Sequence, residues 1–183
     1  MNWDDLSDAE LVKQFKSGDP DAFDAIVQRF QDRVFRLASV WLYDEQGAAD
    51  VTQEVFVRGF KGLRRFRFRS APFTWLYRVT RNVCKEFNRA RRGEALTDEP
   101  LDTSSMPDHQ VASDDSARRV RQLVTRLPER QREVVMLRIF EDLSVKETAK
   151  AMRCREGTVK ALLHKATNSL RLSMKQMGFE NDG

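Results

Sequence analysis

Cysteine and histidine are almost missing from this sequence: Cys84, Cys154, His109 and His164 are all it has. No pair of the four has zinc-ligand spacing, and two cysteines do not make a disulfide framework. Both thiols are read as small core hydrophobes, with a redox or metal role as the alternative. Glycine (8) and proline (5) are scarce too, which weakens any expectation of extensive strand and turn. No run approaches the roughly eighteen apolar residues of a membrane span, and the first residues, MNWDDLSDAE, are acidic. Neither membrane insertion nor a secretory signal is expected, so the chain should stay in the cytoplasm. Alternating strand patterns, nucleotide-loop glycines and internal repeats are also missing. Asp4, Asp5 and Asp8 cluster near the start, but no constellation with metal or nuclease spacing follows them. The expectation is a protein that is not an enzyme and takes no cofactor.

What is present is charge, unevenly spread. The 183 residues carry a formal net charge of only +4. Residues 1–57 hold 5 basic and 12 acidic groups, while residues 58–92 hold 12 basic groups and the single acid Glu86. Residues 93–117 have seven acids and no base, and residues 118–183 return to 15 basic against 8 acidic. Two basic blocks separated by an acidic stretch look like two polyanion-binding surfaces joined by a linker. The stretch GEALTDEPLDTSSMPDHQVASDD (93–115) has two prolines and no apolar period, and it reads as a flexible tether. Two small units follow, 1–92 and 118–183.

Both units read as helical. Leu11, Phe15, Phe23, Ile26, Phe30, Val34 and Leu37 recur at three- and four-residue steps, broken at SGDP (17–20), where Asp19 and Pro20 make an N-cap and first-turn pair. Val51, Val55, Phe56, Phe60 and Leu63 predict a further helix opening after Gly47. On a helical wheel of residues 71–92, Phe73, Leu76, Thr80, Val83, Cys84 and Phe87 share the apolar side. Opposite them, within an arc of about 120°, lie Trp75, Arg78, Arg81, Asn82, Lys85, Arg89 and Arg92. A core accounts for the first set and leaves a tryptophan and an asparagine among five cations. Single-strand binders combine these features, because every base has a face to stack and every nucleotide a phosphate to neutralise. The segment GLRRFRFRSAPF (62–73), alternating Arg and Phe, leads into this helix.

The second unit contains a helix-turn-helix pattern, EDLSVKETAKAMRCREGTVKALLHKATNSLR (141–171). Ser144 and Glu147 form a capping box, Met152 closes the first helix, and Val159, Leu162, Leu163, Ala166 and Leu170 form one apolar stripe on the second. Thr158, Lys160, Ala161, His164, Lys165 and Asn168 point away from that stripe, as a major-groove reading helix requires.

These motifs, in this order and over residues 6 to 172, resemble the bacterial sigma factors of the extracytoplasmic-function (ECF) group. GAADVTQEVFVRGF (47–60) is similar to that family's clamp-binding helix, SAPFTWLYRVTRN (70–82) to its promoter-melting segment, and RLPERQREVVMLR (126–138) to the start of its second domain. The resemblance implies an all-α fold of two small domains, a region 2 unit and a region 4 unit ending in the helix-turn-helix. It implies core RNA polymerase as partner, through its β′ clamp and β flap, together with double-stranded and melted promoter DNA and a cognate anti-sigma factor. Carried over by residue, Asp50, Gln53, Glu54 and Arg58 match the polymerase-docking face. Phe66, Arg69, Trp75, Arg78, Arg81, Asn82 and Lys85 match the minus-ten surface. Thr158, Lys160, Ala161, His164 and Lys165 match positions facing the minus-thirty-five element. The family often has Ser-Arg where this chain has Ala161-Leu162, and Thr80 and Arg81 replace more apolar residues. The competing expectation is a two-domain helix-turn-helix regulator that is not a polymerase subunit.

Overall fold

The computed structural model describes residues 2–42, 45–94, 120 and 122–176, and every regular element among them is helical. The chain falls into two compact units, Met1–Met106 and Pro107–Gly183. Most of the acid-rich stretch expected to be a tether, 95–117, lies outside the described residues.

The first unit begins with a 3₁₀ turn, Trp3–Asp5, followed by α1 (Asp8–Lys16), α2 (Asp21–Leu42), α3 (Glu45–Leu63) and α4 (Pro72–Glu94). A capping box starts α1: the Ser7 hydroxyl accepts from the Glu10 amide while the Glu10 carboxylate accepts from the Ser7 amide at 2.8 Å. The S-x-x-E spacing at residues 7–10 marks this helix start in the sequence, where no apolar period does. At the next break Asp19 accepts from the Asp21 amide at 3.0 Å, so it caps α2 as its residue type predicts. Helix α2 is central and packs on α1, α3 and α4. Its stripe of Ile26, Phe30, Val34 and Leu37 is buried, as are Leu11, Val51, Val55, Leu76 and Val83 on the helices packed on it. Helix α3 begins at Glu45, earlier than the expected opening after Gly47. A glycine in the first turn is tolerated because the amides there have no intrahelical partners to lose.

In the second unit, α5 (Glu129–Val135) follows Pro128 and continues into a π-helical turn, Met136–Phe140. Helices α6 (Val145–Met152) and α7 (Glu156–Gln176) follow, and both α5 and α6 pack on α7. Leu123, Val134, Leu137, Met152, Val159 and Ala166 are buried within this unit. Glu133 is buried as well, paired with Arg130 at 2.6 Å. Arg130 also donates to the Met152 carbonyl at 3.3 Å, tying α5 to the end of α6. Arg138 donates to the Leu143 carbonyl just before α6. Arg153 adopts the left-handed conformation that ends α6 and makes the sharp turn into α7.

Candidate nucleic-acid and polymerase interfaces

Helix α4 starts at Pro72, whose fixed φ suits a first turn. Phe73, Leu76, Tyr77, Thr80, Val83 and Cys84 are buried on its inner side, and Thr80 returns its hydroxyl to the Leu76 carbonyl at 2.9 Å. Asn82 and Lys85 stand exposed on the other side, Arg78 and Arg81 are half-buried, and Arg69 is exposed on the preceding loop. Trp75 departs from the wheel. It is half-buried, because its ring lies over Gly62 of α3; a methyl there would sit 2.5 Å from Cζ2 of the indole. Phe66, which the resemblance assigns to the minus-ten surface, is buried. It is only 6% exposed, its ring packed edge-on against Trp75 at 5.9 Å and against Phe68 at 5.0 Å. The wheel of residues 71–92 could not show this, because the loop between α3 and α4 folds back over the first turn of α4, a contact no single-helix projection contains.

The exposed aromatic on that loop is Phe68, 38% accessible and left-handed at φ 53°. A side chain in that region of φ is uncommon outside glycine, asparagine and aspartate and marks a conformation imposed by its surroundings. Phe68 belongs to the Arg–Phe alternation of the sequence, which could not say which of its two phenylalanines faces outward.

Asp50, Gln53, Glu54 and Arg58 lie on one face of α3. Arg58 donates to Glu54 at 2.6 Å and to Glu86 of α4 at 2.7 Å, and these two hydrogen bonds raise its pKa above the ordinary arginine value. Gln46 reaches Asp50 at 3.5 Å. Among these polar groups is Val57, 55% exposed and three and four residues beyond Glu54 and Gln53, hence on the same face. Its signal in the sequence was an apolar residue at an otherwise polar position.

Thr158, Lys160, Ala161, His164 and Lys165 are all exposed, within an arc of about 160° around α7 that also includes Asn168. Asn168 and His164 Nδ1 approach to 3.4 Å. The first helix of the motif carries the full capping box, with the Ser144 amide donating to Glu147 at 2.9 Å and the Glu147 amide to the Ser144 hydroxyl at 3.2 Å. Between α6 and α7 lies a shallow depression of about 690 Å³ lined by Lys146, Lys150, Arg153, Cys154 and Arg155. The four cations fall within ten residues of sequence and the turn arranges them around one bay, which Glu156 also lines. Among the described residues, no group of three His, Cys, Asp or Glu side chains is placed to hold a metal ion, and no helix is long and apolar enough to cross a membrane.

Both units resemble known proteins. Residues 26–94 match the family model Sigma-70 region 2, and residues 117–170 match Sigma-70, region 4. The RNA polymerase sigma-H factor of Pseudomonas aeruginosa is 33% identical over 176 residues, which cover 89% of this chain and 91% of that protein. The ECF RNA polymerase sigma-E factor of Escherichia coli K12 is 31% identical over 178 residues, covering 90% and 93%. The sigma factor RpoE of Bartonella quintana, solved in complex with the anti-sigma factor NepR, shares the fold with a TM-score of 0.69 at 20% identity, over 84% of this chain and 96% of that one. With both family regions in order and relatives matched over nearly their whole length, the chain belongs to the extracytoplasmic-function group of the sigma-70 family of RNA polymerase sigma factors.

Proposed function

We propose a division of labour for this sigma factor, which binds core RNA polymerase and directs promoter recognition, melting and transcription initiation. The α3 face of Asp50, Gln53, Glu54 and Val57 docks on the coiled-coil clamp of the polymerase β′ subunit. The loop before α4, with Trp75, Arg78, Arg81, Asn82 and Lys85, holds the unpaired minus-ten strand. The exposed face of α7 reads the minus-thirty-five duplex, with the cations around the α6–α7 turn on phosphates. The single observation that carries this reading is that all five α7 positions stand exposed together on a capped helix-turn-helix.

Val57 gives the α3 face an apolar centre inside a polar rim, the composition of a protein-docking patch. Arg58 is already paired with Glu54 and Glu86, so in this reading it braces α3 against α4 and orients the Glu54 carboxylate. Phe66 serves from beneath, as the support on which Trp75 and Phe68 rest. A base turned out of the stack would therefore meet Phe68 and the free part of Trp75. A β-flap contact by the second unit and restraint by an anti-sigma factor belong to the same proposal; the latter draws support from the NepR-bound relative. The place of action is the cytoplasm, with the polymerase.

The docking assignment is tested by reversing charge at Asp50 and Glu54 together. Association with core polymerase should be lost, in a salt-sensitive manner, with helical content unchanged. Undiminished holoenzyme assembly by the double variant would remove α3 from the interface.

A further inference from the structure

Lys16 sits in the last turn of α1, where a lysine ordinarily stays solvated and complements the helix dipole. Lys16 is exposed, and its ammonium donates to the carbonyl of Phe66, fifty residues away, at 2.6 Å. The same ammonium lies 5.2 Å from the centroid of the Phe68 ring. Both its hydrogen bond and its charge are directed into the loop that precedes α4. That loop contains the left-handed Phe68, a conformation that persists only where neighbouring contacts over-determine it. From Lys16 the contacts run without a gap through Phe68 and Phe66 to Trp75.

Helix α1 is itself firmly seated. Leu11, Val12 and Phe15 are buried, and Arg29 of α2 donates to the carbonyls of Leu6 at 2.6 Å and Trp3 at 2.8 Å. The match to Sigma-70 region 2 begins at residue 26, so neither α1 nor Lys16 falls within it.

We propose that Lys16 is a positioning residue that holds the 66–68 loop in the shape that presents Phe68, and so prepares it to receive an unpaired base. The inference rests on the minus-ten reading of the α4 surface. Its physical content is preorganisation: a loop already ordered loses less freedom when a strand binds, and a fixed pocket distinguishes bases better than a yielding one. Because the ammonium is engaged with a carbonyl and a ring, Lys16 is not counted among the phosphate contacts.

The test uses the full chain with Lys16→Met, which keeps the apolar stem and removes the donor, and Lys16→Arg, which keeps donor and charge. Limited trypsin digestion of the free chain reads the loop directly, since Arg65, Arg67 and Arg69 are exposed cleavage sites in or beside it. Cleavage at these three positions should accelerate about fivefold or more in Lys16→Met, as the open population rises, and far less in Lys16→Arg. Assembled with core polymerase, each variant is then titrated against single-stranded decamers of adenine, cytosine and thymine over a salt series. In Lys16→Met the spread between the best and worst decamer should shrink by about threefold or more, with the salt slope unchanged, and Lys16→Arg should restore it. Unaltered tryptic cleavage overturns the proposal. So does a slope reduced by about one phosphate with the base ranking intact, which would make Lys16 a backbone contact. So does faster cleavage with an unchanged ranking, which would make it a stabilising residue without a part in recognition. If the wild-type holoenzyme binds no decamer better than core polymerase alone, the reading of the α4 surface fails, and the cleavage result alone decides whether Lys16 fixes the loop.

Discussion

Cys84 and Cys154 differ in what surrounds them. Cys84 is fully enclosed on the inner side of α4, and burial pushes its thiol pKa up to about 12. Cys154 is half-exposed in the turn between α6 and α7. The expectation of two buried thiols therefore holds for one, because the second falls in a turn that no core covers. A chromogenic disulfide reagent at pH 8 should titrate one thiol per native chain rapidly and the second only after denaturation. The Cys84 thiol is raised on folding, so the neutral form is native and stability should fall as pH rises above the ordinary thiol range, about 8.5–9, toward 12. Trp75 and Asn82 make a second contrast. On the proposed minus-ten reading, Trp75→Ala should lose about 1–3 kcal/mol of affinity for a minus-ten strand, the range for one base stack. It should also lower the melting temperature, since the indole packs on Gly62 and Phe66. Asn82→Ala should leave melting unchanged and relax base preference, because an exposed amide can read a base edge. Oligonucleotide binding measured beside thermal melting separates the two effects.

At the scale of the element, the two capping boxes behave alike. Hydrogen bonds from the serine hydroxyl and then the serine amide hold the Glu10 and Glu147 carboxyls below the usual carboxylate range. A carboxyl depressed on folding stabilises the native state above its unfolded pKa and loses that contribution as pH falls through the folded value. Helix α6 should therefore loosen below about pH 4, near the ordinary glutamate pKa and under it. Ser144→Ala should cost about 1 kcal/mol at neutral pH and flatten that acid dependence. Circular-dichroism melts of wild type and variant between pH 3 and pH 7 measure both, at the helix that leads into the proposed duplex-reading element. The π-helical turn at Met136–Phe140 leaves Ile139 and Phe140 exposed, a surface with no counterpart in the sequence periodicity.

For the molecule as a whole, charge is arranged by segment. The acid-rich residues 93–117 separate two basic blocks, and their role as a tether is open to a direct test. Shuffling residues 95–112 at constant composition should preserve promoter-specific transcription, since a tether acts through reach and charge. Replacing the seven acids of 93–117 by Ser and Gln should strengthen nonspecific DNA binding, measured as retention on calf-thymus DNA across a salt series. Loss of activity on shuffling alone would require an ordered role for the segment.

Periodicity, caps and charge blocks were enough to determine that this protein is helical, that it has two basic units, and that Thr158, Lys160, Ala161, His164 and Lys165 share the outer face of one helix. Those properties are local: a helix repeats every 3.6 residues, so neighbours on its surface are settled by spacing alone. Asn82 and Lys85 were placed by the same reasoning. The α3–α4 loop was not, because its conformation depends on residues brought together from α1, α3 and α4. Phe66 went beneath and Phe68 outward, Trp75 settled onto Gly62, and Lys16 crossed fifty positions to reach a carbonyl. Only the packed structure decides such contacts, since side chains distant in sequence compete for the same buried volume and one arrangement fills it.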